Sequence, residues 1–134
     1  MTTQTPDSRL ASRAPEMLSV LRIVSALIFL LHGSQKLFAF PPTDQQPPLA
    51  SLMGVGGVLE LIGGLLLLAG LFTRPVAFVL SGMMAVAYWM FHAPGSLYPT
   101  LNGGDAAILY CFVFLYIFVA GPGPWSLDAM MRRR

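Results

Sequence analysis

Apolar residues run along this chain in long blocks separated by short polar or Pro/Gly-rich breaks. Four stretches approach the length of about 20 residues that a helix needs to cross a bilayer: roughly Met17–Phe38, Leu49–Phe72, Val76–Phe91 and Asp105–Ala120. The last two are short and need little tilt or some local thinning. The breaks agree with this division. Phe40-Pro41-Pro42 and Pro47-Pro48 bound the first loop, and Thr73-Arg74-Pro75 is a tight turn with a proline at a helix start, where the missing N–H costs nothing. Ala93-Pro94-Gly95-Ser96 ends the third span, Asn102-Gly103-Gly104-Asp105 opens the fourth, and Gly121-Pro122-Gly123-Pro124 closes it. The runs are too long for the alternating strands of an outer-membrane barrel. The expected fold is therefore all-α, an integral membrane four-helix bundle. A polar tail precedes it over residues 1–16, the membrane domain covers 17–128, and a basic tail follows over 129–134.

Composition strengthens the membrane reading. Hydrophobic residues make up 55% of the 134 positions and charged residues 10%, against about 25% charged in an ordinary soluble domain. The first span is expected to be retained rather than cleaved. Its apolar run is long, and His32, Gln35 and Lys36 stand where a small-residue cleavage site would be. The net charge is +2, and Arg132, Arg133 and Arg134 supply most of the excess. No basic stripe follows a helix face, so nucleic acid is not an expected partner. Basic residues flank the N-terminal end of the first span, the second loop at Arg74 and the C-terminal tail, which by the positive-inside rule puts both termini in the cytoplasm. Trp89 and Trp125 then lie near opposite faces, as interfacial anchors do.

Ionisable residues within a span are costly, and each is a candidate for function. Glu60 is the strongest. It falls about ten residues into the second span, roughly 15 Å deep, on a face with Gly56, Gly57, Gly63 and Gly64. Two readings stay open: a protonated acid that holds helices together, or a carboxylate that transfers protons or binds a ligand. His32, Gln35 and Lys36 share one helix face by their three-and-four spacing. Alone, Lys36 reads as a snorkelling side chain and His32 as a packing contact. His92, Asn102 and Asp105 fall at the same membrane face, Asp105 also complementing a helix dipole and Asn102 serving as a cap or turn residue. The simplest arrangement that satisfies them all is a polar pocket opening outward and floored by Glu60. Arg22 stands apart, either snorkelling to the inner surface or pairing with Glu60. Tyr110, Phe112, Phe114, Tyr116 and Phe118 make the fourth span aromatic, Ser81 and Gly82 read as packing positions, and Cys111 reads as an apolar filler. There is no phosphate loop, dinucleotide fingerprint, zinc-ligand spacing or CxxC, so no metal site is expected, and the two histidines alone do not support haem.

Leu21-Arg22-Ile23 with His32-Gly33-Ser34-Gln35-Lys36-Leu37-Phe38 resembles the first helix of the DoxX family. Glu60-Leu61-Ile62-Gly63-Gly64-Leu65 through Gly70-Leu71-Phe72-Thr73-Arg74-Pro75 is similar to its second helix and turn. Asn102-Gly103-Gly104-Asp105 and Gly121-Pro122-Gly123-Pro124-Trp125-Ser126-Leu127-Asp128 are similar to its fourth helix and closing turn. The resemblance covers nearly all of the chain after the first sixteen residues. The chain departs at Ala39, where the family often has glycine, at Asp105, where it often has glutamate, and at Pro124, where a basic or polar residue is common. The resemblance implies a four-helix bundle in the bacterial inner membrane. Family relatives include the membrane subunit of a thiosulfate:quinone oxidoreductase and proteins associated with redox-stress complexes containing a sulfurtransferase and a superoxide dismutase.

Residues and resemblance together lead to one expectation: a non-autonomous membrane subunit of a quinone-linked or redox-stress oxidoreductase. It holds no intrinsic cofactor, binds a quinone in the pocket, and depends on a partner redox protein or on a second copy of itself. Glu60 handles protons, while His32 and Lys36 hydrogen-bond the ligand. The alternatives are a non-enzymatic transporter or assembly factor for a small solute or proton, and a purely structural bundle.

Overall fold

The computed structural model describes residues 6–134; positions 1–5 of the expected N-terminal tail lie outside the described residues. Regular structure among the described residues is entirely helical. The elements are α1 (Pro6–Ala11), α2 (Ala14–Phe38), α3 (Leu52–Ala69), α4 (Thr73–Ala87), α5 (Pro99–Asn102), α6 (Asp105–Ala120) and α7 (Leu127–Arg132). α4 runs on without a break through a π turn at Tyr88–His92 and a 3-10 turn at Ala93–Gly95. α2, α3 and this extended α4 have 25, 18 and 23 residues and are long and apolar enough to span a membrane. α6 is equally apolar with 16 residues. The fold is thus a helical membrane bundle. The third span, expected to be short, is corrected by seven residues that the sequence reading left out: helix begins at Thr73 because Pro75 fits within a first turn, and the π and 3-10 turns carry it to Gly95.

The helix ends follow local chemistry. Ser51 caps α3 by accepting from the Gly54 N–H at 3.1 Å, and Gly70 closes it in the left-handed region at φ 69°. α2 ends on Ala39 at φ 52°, a left-handed position that glycine occupies without a Cβ penalty.

α2 packs along α3 and α4 along α6, giving two antiparallel pairs. In the first pair the backbones nearly touch. A Cβ on Gly33 would lie 2.8 Å from the Leu61 nitrogen and 2.9 Å from the Gly57 oxygen, and one on Gly64 would meet the Leu30 side chain at 2.8 Å. In the second pair Ser81 Oγ donates to the Cys111 carbonyl at 2.7 Å. Gly82, expected to be a packing position, is corrected: a Cβ there meets nothing within 4 Å. Phe29, Leu67, Ala77, Leu80, Phe114 and Ile117 form the core between the pairs. The outer faces stay apolar and exposed, as at Ile62, Leu65, Val79, Phe112 and Val119, and these faces meet lipid.

One end of the bundle is clasped shut by the segment after α6. Arg22, fully buried, donates through Nε to the Leu67 carbonyl at 2.8 Å, through Nη2 to the Trp125 carbonyl at 2.6 Å, and through Nη1 to the Pro122 carbonyl. This corrects both expectations for Arg22. It neither snorkels nor meets Glu60, because the carbonyls freed at the end of α3 and in the glycine-proline turn need donors that lipid cannot supply. Arg74 likewise donates to the Phe118 and Val119 carbonyls at the end of α6, at 2.9 and 2.6 Å. Ser19 Oγ accepts from the Trp125 N–H at 3.1 Å.

Asp128 completes the clasp by accepting from the Phe72 and Thr73 amides, at 3.0 and 2.9 Å, where α4 begins. Burial alone pushes its carboxyl up, but the hydrogen bonds from Thr73 and Phe72 and the charge of Arg132 outweigh it and leave the group below its ordinary value. A lowered folded-state value means stability that is complete above the unfolded value, about 3.9, and is lost as pH falls through the folded one. Acidification from about pH 4 downward is therefore expected to destabilise the wild type more steeply than Asp128→Asn. Asp128→Ala is expected to cost about 1 kcal/mol at neutral pH through the lost cap. Thermal unfolding in detergent at pH 7 and pH 3 checks both; equal acid slopes for wild type and Asp128→Asn would count against the assignment.

Candidate functional site

The opposite end of the bundle is open. There the two helix pairs diverge around a cavity of about 580 Å³, within the range of small-molecule sites. α2 contributes Phe29, His32 and Lys36; α3 contributes Met53, Gly56 and Glu60; the α4 segment contributes Met83, Met84, Met90 and His92; and α6 contributes Tyr110. The walls are mostly apolar, and methionine makes them adaptable in shape.

Glu60 is 3% exposed and eight residues beyond the first residue of α3, hence about 12 Å along it. Its Oε1 receives Lys36 Nζ at 2.7 Å. This corrects the snorkelling reading of Lys36. Gly57 faces the Lys36 stem so closely that a Cβ would lie 2.9 Å from the Lys36 Cβ, so the ammonium is held over α3 rather than released to the interface. Glu60 Oε2 is buried and has no hydrogen-bond partner among the described residues. An unmet acceptor in such a place costs about 1–3 kcal/mol or more, so it marks where a ligand or water group belongs.

Aromatic rings connect this floor to the core. His32 meets Tyr110 edge-on with centroids 5.8 Å apart, and Tyr110 stacks on Phe114 at 5.6 Å, while Phe29 packs edge-on against both. His92, the last residue of the π turn, lines the cavity, and π turns recur at functional sites. Its Nδ1 lies 3.2 Å from the Asn102 carbonyl. Since a carbonyl only accepts, Nδ1 carries the proton and Nε2 is the acceptor of the neutral ring.

The structure brings together His32, Lys36, Glu60 and His92 around the cavity and sets three other candidates apart from its lining. Asn102 organises the loop instead: its amide donates to Ser96 O at 3.0 Å and to the Tyr88 hydroxyl at 3.3 Å, and its Oδ1 accepts from the Gly104 N–H at 2.8 Å. Asp105 is exposed and accepts from the Ala106 N–H at 3.0 Å, in the first turn of α6. Gln35 is partly buried beside the cavity-facing stripe of α2 and not on it. Tyr110 stood out in the sequence only among the aromatics of the fourth span, which more often face lipid or fill a bundle than line a quinone or lipid cleft; the four cavity methionines carry no sequence signal of their own.

Comparison with known proteins follows this geometry. The DoxX family model matches residues 17–93. A Haemophilus influenzae protein described as uncharacterized is 42% identical over 120 residues, covering 85% of this chain and 90% of that protein. The inner membrane protein YphA of Escherichia coli is 29% identical over 127 residues, with 85% and 89% covered. The inner membrane protein YqjF of the same organism is 28% identical over 131 residues, with 86% and 92% covered. No solved structure matches the chain.

Proposed function

This chain belongs to the DoxX family, and from that premise we propose that it is a membrane subunit of a quinone-linked or redox-stress oxidoreductase complex, with the cavity over Glu60 as the site for the quinone ring. The coarser statement stands on its own: it is a multi-pass protein of the bacterial inner membrane. The observation that carries the finer one is the pairing of an apolar cavity of about 580 Å³ with a Lys36–Glu60 pair whose buried carboxylate has an unused acceptor. A quinone ring needs apolar walls around its faces and a few polar groups at its edges, and this donor set fits. Lys36 has further N–H bonds for a carbonyl oxygen, and Glu60 Oε2 can take a proton at the edge of the ring. When bound, a quinone supplies electron transfer coupled to protons; the electrons come from a partner redox protein. The basic residues Arg9, Arg13, Arg74 and Arg132 to Arg134 put the clasped end in the cytoplasm by the positive-inside rule, so the cavity opens outward. The reading as a transporter of a small solute or proton draws less support, because below Glu60 the bundle is filled by Phe29, Phe114 and Leu67 and closed by Arg22.

The test is the quinone content of the detergent-purified protein by solvent extraction and mass spectrometry. Wild type is expected to carry near-stoichiometric quinone and Glu60→Gln at least tenfold less, both eluting as folded protein. Gly56→Leu supplies an independent block: Gly56 lines the cavity and a Cβ there meets nothing within 4 Å, so the side chain fills the site without forcing the helices apart. Quinone no higher than in the bulk lipid extract, or unchanged in both variants, would sink the proposal.

A further inference from the structure

We propose that the cavity selects an occupant carrying a hydroxyl donor, a ring of the hydroquinone or phenol class, over the same ring carrying a carbonyl or an ether oxygen in its place. This deepens the reading of the cavity as a ring-binding site and rests on it. Glu60 faces an ammonium at 2.7 Å and, as a carboxylate, has only acceptor atoms. Oε1 is used by Lys36, whereas Oε2 is buried with nothing to accept from among the described residues. His92, whose Nδ1 donates to the Asn102 carbonyl, lines the same cavity with its ring. The donors on the cavity wall are in a different position: the Lys36 side chain is 26% exposed, His32 is exposed and Tyr110 half-buried, so their free N–H and O–H bonds can be hydrated.

That difference in burial decides the selection. A group that can reach water loses little when a ligand fails to pair with it, whereas a buried acceptor costs its full desolvation if left unmet. A carbonyl or ether oxygen brought against Glu60 Oε2 sets acceptor against acceptor. A hydroxyl there makes a charge-assisted hydrogen bond, shorter and about twice as strong as a neutral one. The site therefore discriminates by what the ligand donates, and the apolar walls are indifferent to the choice.

Three probes on one ring separate the possibilities: trimethylhydroquinone, trimethyl-1,4-benzoquinone of nearly equal bulk, and the slightly larger dimethyl ether of the hydroquinone. Each is measured by equilibrium dialysis against the full-length protein in detergent without oxygen. The hydroquinone is expected to bind at least tenfold more tightly than either of the others, the size of one charge-assisted hydrogen bond. The ether carries no redox chemistry and the quinone no added bulk, so weakness shared by the two reports the lost donor. Glu60→Gln is expected to bring the three affinities together, and Gly56→Leu to abolish all three. Equal affinities in the wild type, or tighter binding of the quinone, overturn the selection and leave the ring-binding reading intact. Binding of none of the three overturns both. A hydroquinone preference that survives in a folded Glu60→Gln overturns the role given to Glu60.

Discussion

Replacing Arg22 by methionine is expected to cost the protein about 3 kcal/mol or more of stability, the largest effect of any single side chain outside the core. Methionine fills similar space and is at home in an apolar helix, so a loss of this size cannot come from packing. It comes from the three carbonyls of Leu67, Pro122 and Trp125, which all accept from the one guanidinium; Leu67 keeps the Gly70 N–H as a second donor, so the loss falls most on the closing turn. Asp128 is close enough to act on Arg22 as a compensating charge, and the methionine variant loses that interaction as well. Arg22→Lys keeps the charge but reaches one carbonyl at a time and lacks the planar fork, so it is expected to fall between the two. Thermal unfolding in detergent gives the ranking, and limited proteolysis locates the damage in the segment after α6. A methionine variant within about 0.5 kcal/mol of wild type, the range of an ordinary surface change, would show that the clasp does not depend on Arg22.

Gly33→Ala is expected to destabilise the bundle by about 1–3 kcal/mol and to break the Lys36–Glu60 pair at the same time. The added methyl group would stand 2.8 Å from one backbone atom of α3, 2.9 Å from another and 3.1 Å from the Glu60 Cβ. Backbone cannot swing aside as a side chain can, so α2 and α3 must separate along this stretch. Lys36 is one turn further along α2, and a shift of even 1 Å there takes its 2.7 Å contact beyond a good hydrogen bond. Gly56→Ala is the control, since its Cβ points into open space, and it is expected to change stability by no more than about 0.5 kcal/mol. Paired unfolding curves and ligand binding for the two alanine variants test this. Indistinguishable behaviour would mean that the helices relax apart without penalty.

The helices were legible because membrane segments announce themselves by length, and the prolines and glycines between them mark real boundaries. The end of α4 was less legible. A π turn inserts its extra residue without any composition signal of its own, and Ala93-Pro94-Gly95 reads as a stop although the chain is still helical there. Glu60 was legible from its depth alone. Its partner was not, because a lysine near a helix end satisfies the snorkelling rule as well as it satisfies an ion pair, and only the close contact of α2 with α3 decides between them. Gln35, Asn102 and Asp105 share the level of the cavity with His32 and His92 but differ in rotation about their helices and loops. Without knowing which helix neighbours which, sequence spacing fixes level and not direction. Arg22 was the hardest to read. Its three acceptors are backbone carbonyls, which every residue has and no sequence pattern marks, and two of them lie 100 and 103 positions away.

That separation governs how the protein is made. Arg22 enters the bilayer with the first helix, when the carbonyls of Pro122 and Trp125 have yet to be synthesised. Until the turn after α6 is made, the nascent chain therefore carries a cation in or near lipid with little to compensate it. Insertion and completion are distinct stages of biogenesis, and the second awaits that turn. A prematurely terminated chain would keep its early helices yet expose a bare arginine at their end.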